Sequence, residues 1–330
     1  MLGENMWLQA RMYMLVGLMF VILYGFLLFV GAAVGYSGQS FVNYSVILAL
    51  GMMFVQYMIG PKMVESSMKV RYITEGENPK LYRMVEEQAR LAGLKKTPKV
   101  GTCPTPLPNA FAFGKSKGDA RVCVTDGIVN LLSENELKAV IGHEISHVKH
   151  RDMAIITLLS AVPMIAYYMY MSSRFSGSVG RSNDRNSGGT AIIGIFALVV
   201  YFITNLLVMY GSRIREYYAD KGSTELGNEP HQLASALYKL TYGTAKTPRS
   251  ELQRVEGVKA FFVNDPTKAK GDFNELTEVD RDMSGTIDRN ELESVRHGGV
   301  RVGASASIME LMSTHPNMLK RIKHLSELSK

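Results

Sequence analysis

The chain has 330 residues, 46% hydrophobic and 20% charged, with a formal net charge of +7. Those averages look globular, but the charge is segregated: Met12–Pro61 holds no Asp, Glu, Lys or Arg, which excludes intrinsic disorder, a collagen-like repeat and a simple cytosolic enzyme. The basic excess sits in small clusters such as Lys95-Lys96 with no interleaved aromatics, which argues against nucleic acid as a partner. The two cysteines, Cys103 and Cys123, share no CxxC spacing and are expected to be reduced and buried.

In chain order, the uncharged stretch divides at Tyr36-Ser-Gly-Gln-Ser40 into expected spans at Met12–Val34 and Phe41–Gly60. Each suffices for a helix across a bilayer, about 20 residues. The first is too long for the apolar part of a signal peptide, and Glu4 and Arg11 flank it poorly, so an uncleaved hairpin is expected. Lys62–Asp152 alternates helix and strand signals. Asn78-Pro79 opens a helix carrying Leu81, Met84, Val85, Ala89 and Ala92, closed by Gly93. Strands are predicted at Lys99–Cys103, Asn109–Gly114 and Arg121–Thr125. Ser133-Glu-Asn-Glu136 is a capping box that starts a helix reaching about Arg151.

A third span is expected at Met153–Met171, kinked at Pro163, and a fourth at Ala191–Tyr210 with Asn205 facing protein. A helical hairpin within a soluble core is the competing reading of this pair. Helices follow at Pro230–Tyr242 and from near Pro316, the latter with Leu319, Ile322 and Leu325 on one face. The expected fold is mainly α with a small β-sheet, plus four transmembrane helices. Its expected segments are 1–61 (first membrane hairpin), 62–152, 153–212 (second hairpin) and 213–330.

Flanking charges set the orientation. Lys62, Lys69, Arg71, Lys80, Lys138, Lys149, Arg151, Arg213, Arg215 and Lys221 lie on one side of the spans; Arg174, Arg181 and Arg185 lie on the other. The larger set predicts that the polar segments are cytoplasmic, in a multi-pass protein of the cell membrane.

The capped helix carries His143-Glu144-Ile145-Ser146-His147. Residues i and i+4 stack on one helix face, so both imidazoles can hold one Zn²⁺, and Glu144 can reach the water beside it. A catalytic zinc needs a third protein ligand and an open position. Glu216, in Arg213-Ile-Arg-Glu216-Tyr-Tyr-Ala-Asp220, would complete a His₂Glu set, and Asp220 one turn on would orient a ligating histidine. His150 is expected outside the ligand set. These features predict peptide-bond hydrolysis with Glu144 as general base. A non-catalytic membrane scaffold or chaperone with a structural zinc is the alternative, although a closed structural site has no need of Glu144.

HEISHVKHRD, a hydrophobic hairpin and SRIREYYAD together resemble the HtpX-like membrane zinc metallopeptidases, relatives of the CAAX prenyl endopeptidases. Pro108-Asn-Ala-Phe-Ala112, Asp152 and Ser313-Thr-His315-Pro316 with Arg321 fit the same family. The resemblance implies a gluzincin-type α+β catalytic domain acting on membrane or misfolded proteins. It implies that Asn109, Ala110, Phe111 and Ala112 form an edge strand that pairs with substrate. It also implies roles for Asp152 behind the metal, for His315 as a donor to the tetrahedral intermediate, and for Arg321 in support. A prenyl-protein endopeptidase is a closer alternative, though four spans leave little wall for a lipid chamber. Substrates are proteins or peptides, the bilayer is the other partner, and the oligomeric state is left open.

The chain departs from the family pattern between Phe262-Val263 and Ser313, where about 268–302 reads as an insertion. Within it, Asp280, Asp282, Ser284, Thr286, Asp288 and Glu291 fit the twelve-residue EF-hand calcium loop, with Gly285 at the turn and Ile287 at the apolar eighth position. Phe273, Leu276, Leu292 and Val295 supply the flanking helix faces. Calcium is therefore expected as a second ion, and the competing reading is an acidic exposed loop.

Overall fold

The structure is a computed structural model that describes residues 2–33, 35–36, 38–179, 187–247, 269–298 and 310–329. Arg181, Arg185, Phe262, Val263 and both ends of the expected insertion lie outside the described residues. The chain divides into two units, one of residues 1–60 and 155–211, the other of 61–154 and 212–330.

In the first unit, four helices are long and apolar enough to cross a membrane. Helix α1 is Leu2–Ala33 and α2 is Gln39–Ser67, both longer than their apolar runs. Helix α2 continues through Pro61, which forfeits one backbone hydrogen bond, and runs past its apolar stretch because a change in polarity alone does not stop a helix. The third apolar run is two helices, α6 (Asp152–Leu159) and α7 (Ala161–Val179). The break falls at Ser160 rather than at Pro163 itself. Proline lacks the N–H that would bond to the carbonyl four residues earlier, so the interruption appears upstream of the ring. The fourth is α8, Ser187–Glu225, one continuous helix of 39 residues. Asn205 is half-buried beside fully buried Thr204. Phe26, Ala166, Ala197 and Val200 pack together.

The second unit holds a four-stranded sheet. Strands β1 (Arg71–Tyr72), β2 (Lys99–Cys103), β3 (Ala110–Phe113) and β4 (Arg121–Thr125) lie in the order β1-β2-β4-β3. β2 and β4 are parallel, and β3 runs antiparallel to β4 with Ala110 opposite Val124 and Ala112 opposite Val122. Around the sheet stand α3 (Pro79–Leu91), α4 (Asp126–Leu131), α5 (Glu134–His150) and α9 (Pro230–Lys246). Helix α3 begins as expected: the Asn78 side chain accepts from Leu81 N, with proline at the first turn. Beyond α9 are α10 (Ala269–Leu276), α11 (Arg289–Gly298) and α12 (Met318–Leu328). The last starts two residues later than Pro316 suggested, because Asn317 is the residue whose side chain accepts from Leu319 N and Lys320 N. Val85, Val122, Val140, Ile141, Leu237 and Ile322 are among the fully buried side chains of one continuous core. Cys103 and Cys123 are free and buried.

Candidate metal centre

Helix α5 is fixed at its start by the capping box. Ser133 accepts from Glu136 N, and Glu136 Oε2 accepts from Ser133 N at 2.8 Å. The same buried carboxylate accepts from Ser235 Oγ at 2.6 Å and pairs with Lys239 at 2.8 Å, tying α5 to α9. Against another face of α5 runs the later part of α8, and the approach is close. A Cβ on Gly222 would stand 2.0 Å from Ser146 Oγ and 2.7 Å from Ser146 Cβ.

That approach sets the distance between the two halves of the site. His143 Nε2 and His147 Nε2 are 3.2 Å apart, and each lies 3.5 Å from a carboxylate oxygen of Glu216. The two 3.5 Å contacts end on different oxygens, Oε2 facing His143 and Oε1 facing His147, and each separation is close to the about 3.3 Å between ligands held about 2.0–2.1 Å from a tetrahedral Zn²⁺. Glu216 Oε2 is buried and receives no hydrogen bond of good geometry, although the Arg321 guanidinium stands 3.1 Å away.

Behind each ligand is a carboxylate. Asp220 Oδ1 lies 2.9 Å from His143 Nδ1, and Asp152 Oδ2 lies 2.8 Å from His147 Nδ1. Each pairing turns the Nε2 atom of its ring towards Glu216. Asp220 is held in turn by Arg321, through Nε at 3.0 Å and Nη2 at 2.6 Å, with both side chains fully buried. The Asp152 carbonyl accepts from Arg215 Nη1 at 2.8 Å. Burial works to lower the His147 pKa, but the Asp152 and Glu216 carboxylates overcome it and raise it to about 10. His143 is likewise raised, by Asp220 and Glu216 against burial.

Glu144 is buried, and burial raises its carboxyl above the ordinary range, against the lowering pull of the two histidines and the Ala112 backbone amide. His315 is buried with neither ring nitrogen hydrogen-bonded, and its Nδ1 is 3.4 Å from Glu216 Oε2. His150 is buried outside the three-residue group, its Nδ1 3.3 Å from Ser146 Oγ.

Within the Asn109–Ala112 segment, the backbone of Asn109 turns inward. Asn109 N donates to Thr125 Oγ1 at 2.8 Å, and Asn109 O accepts from Thr125 N at 2.9 Å, so its backbone is used inside the sheet. Alternation along an antiparallel strand then aims the N–H and C=O of Phe111 at β4 and those of Ala110 and Ala112 away from it, with the Ala112 N–H meeting the Glu144 carboxylate.

In the second candidate ion site, Asp280, Asp282 and Glu291 each bring a carboxylate oxygen within 4.8 Å of the others. Asp288 instead accepts from Glu291 N at 2.8 Å as a helix cap, and the Ser284 and Thr286 hydroxyls bond to each other at 2.9 Å. Glu291 accepts from Arg281 N at 2.7 Å and Asp288 N at 3.1 Å. Gly285 has φ +79, a conformation that glycine adopts without strain.

Arg213, Arg215, Ser146 and Gly222 were not expected at the site. The two arginines read as topology signals, and the only sequence hint for Gly222 is a helix-breaking residue inside a helical stretch.

A pair of histidines, one buried and one partly exposed, with a buried glutamate, set in a chain with four helical segments fit to cross a bilayer, defines a membrane metallopeptidase. The chain belongs to peptidase family M48, whose model matches residues 75–329. It is 52% identical over 233 residues to "Protease HtpX homolog" of Methanothermobacter thermautotrophicus, covering 71% of this chain and 85% of that one. It is 34% identical over 329 residues to the protein of the same description from Moorella thermoacetica, covering 99% and 96%. Among solved structures it is similar to the crystal structure of S. mikatae Ste24p, at 18% identity and TM-score 0.49. That match covers 92% of this chain, which spans 62% of the length of the other.

Proposed function

We propose that this membrane metalloendopeptidase uses zinc held by His143, His147 and Glu216 to cut membrane or misfolded proteins at the cytoplasmic face. In this reading, residues 1–61 and 153–212 form the membrane part, and 62–152 with 213–330 the catalytic part. The observation that carries it is the convergence of two imidazole Nε2 atoms, 3.2 Å apart, on the Glu216 carboxylate, one oxygen 3.5 Å from each, with the buried Glu144 carboxylate beside it. Zinc, when bound, supplies a Lewis acid and brings the pKa of water towards about 7. Glu144 takes a proton from the attacking water and passes it to the leaving amine, a task suited to a carboxylate whose pKa burial has raised. Asp152 and Asp220 hold the imidazoles in the tautomer that presents Nε2. His315 has both ring nitrogens uncommitted and donates to the oxygen that gains charge. Arg321 holds Asp220 and Glu216 in place. The substrate adds as a strand along β3 through the outward groups of Ala110 and the carbonyl of Ala112.

Glu144→Gln should retain zinc and lose casein cleavage by at least about a hundredfold. Cleavage at the wild-type rate would refute the assignment. A prenylated C-terminal peptide assayed against casein separates this reading from a prenyl endopeptidase, which would favour the former.

We also propose that the loop from Asp280 to Glu291 binds calcium, with a Kd of about 10⁻⁵–10⁻³ M because a lone hand has no paired partner. The three converging carboxylates support this, as do the buried faces of Leu276, Ile287, Leu292 and Val295. Glu275 on α10 accepts from Asn317 Nδ2 at 2.8 Å, linking the loop's helices to the segment that follows His315. Calorimetry should show calcium heat in the wild type and none in Glu291→Ala; equal heats would overturn it.

A further inference from the structure

We infer that Arg213 is a positioning residue that sets His315 against the metal centre, an inference that rests on the role given above to His315. The segment before His315 is a tight turn, in which Ser313 N donates to Glu310 O at 3.0 Å. Apolar burial does not hold this turn: Ser313 is buried, but Leu311 is 57% and Met312 52% exposed, large apolar side chains turned to solvent. Its backbone is gripped instead. Arg213 Nη1 lies 2.9 Å from Glu310 O, 3.2 Å from Leu311 O and 2.7 Å from Ser313 O. Three carbonyls converging on one guanidinium nitrogen fix the turn in space as no single side-chain contact would. Lys320 adds an ion pair to the Glu310 side chain.

The grip is passed on to the imidazole. Ser313 Oγ accepts from His315 N at 3.4 Å, and Asn317 caps α12 immediately beyond. His315 is thus held from both sides, by the turn and by the start of α12. Arg213 and Glu216 are three residues apart on α8, on neighbouring positions of one helix face. The ligand and the clamp are therefore carried by the same helical turn. The clamp sets where His315 Nδ1 stands relative to Glu216, now 3.4 Å away. A donor to a developing oxyanion must be placed to within a fraction of an ångström, and a misplacement of about 1 Å lowers rate by about a hundredfold.

The test uses the full chain in detergent, loaded with zinc, and a fluorogenic peptide as substrate. Arg213→Ala should lower kcat roughly ten- to a hundredfold, with KM changed less than about threefold and zinc content unchanged. Arg213→Lys should recover part of the loss, since an ammonium can reach the carbonyls without matching the planar fork. In a His315→Ala background, Arg213→Ala should change kcat by no more than about twofold, because the residue it positions is gone. Wild-type kcat in Arg213→Ala, an effect on KM alone, loss of zinc, or full additivity with His315→Ala would each overturn the inference. If Arg213→Ala does not fold, the same cycle built on Arg213→Lys decides it. A His315→Ala variant with unchanged kcat removes the His315 role and this inference with it. Loss at His315→Ala but not at Arg213→Ala removes the inference alone.

Discussion

Replacing Gly222 by alanine tests whether the contact between α5 and α8 sets the ligand geometry. The added methyl would stand 2.7 Å from Ser146 Cβ and 2.0 Å from its hydroxyl. Non-bonded carbons settle at about 3.5–4.0 Å, so the helices must part locally by about 1 Å. Ser146 can rotate its hydroxyl aside, but its Cβ is fixed to the backbone of α5. His143 and His147 flank Ser146 on that helix, while Glu216 lies less than two turns from Gly222 on the other. Ligand distances tolerate only about 0.2 Å. Even an attenuated displacement therefore lengthens the two 3.5 Å contacts between the α5 histidines and Glu216 beyond what one ion spans. We expect zinc affinity to fall roughly ten- to a hundredfold. We also expect the metal-free protein to lose about 1–3 kcal/mol from overpacking. Competition with a chromogenic chelator, on full-length protein in detergent, measures the first; thermal unfolding with and without zinc measures the second. Ser146→Gly removes both clashing atoms and should restore affinity in the double variant. Wild-type affinity in Gly222→Ala, or a double variant no better than the single one, would refute the reasoning.

Arg321→Met leaves the Asp220 and Glu216 carboxylates buried without their guanidinium, which should destabilise the metal-free protein by about 3–5 kcal/mol; a shift in thermal unfolding corresponding to less than about 1 kcal/mol would count against it. Burial works to raise the Glu136 pKa, but Lys239, Ser235 and Ser133 outweigh it and hold the carboxyl below its usual range. Its contribution is therefore complete above the unfolded value of about 4.3 and lost as pH falls through the lower folded value. Glu136→Gln should destabilise by about 1–3 kcal/mol at pH 7. That gap should narrow in the acid limb, and a gap constant with pH would sink the argument.

What was legible in the sequence is what local rules control. The capping box at Ser133–Glu136 and the i, i+4 histidines act within one or two helical turns, so α5 and its ligand face followed directly. Glu216 and Asp220 were found for the same reason, four residues apart on one helix. The continuity of α8 was not legible, because polarity changes at Ser212 while helical hydrogen bonding does not. The fourth span and the segment carrying Glu216 form one helix. Strand β1 is two residues long and too short for any alternation to show. Arg213 and Arg215 escaped because the carbonyls they hold include ones 97 and 63 residues away in the chain, and no spacing rule spans such distances. The inward turn of Asn109 was hidden likewise, since only the register with Thr125 reveals it.

Strand β3 has a consequence for what the enzyme can accept. It has β4 on one side and, among the described residues, no strand on the other. A free edge recognises main-chain amides, which every polypeptide has, so side-chain sequence is a weak criterion there. What an edge demands is a stretch of backbone whose own N–H and C=O groups are not already paired. Helices and inner strands of a finished protein fail that demand, and a chain that has lost its structure meets it almost anywhere. In the proposed strand addition, selection at β3 would thus be made on the conformational state of the substrate. On that reading a well-folded neighbour in the same membrane would be spared because its backbone is already engaged, with no tag or consensus required.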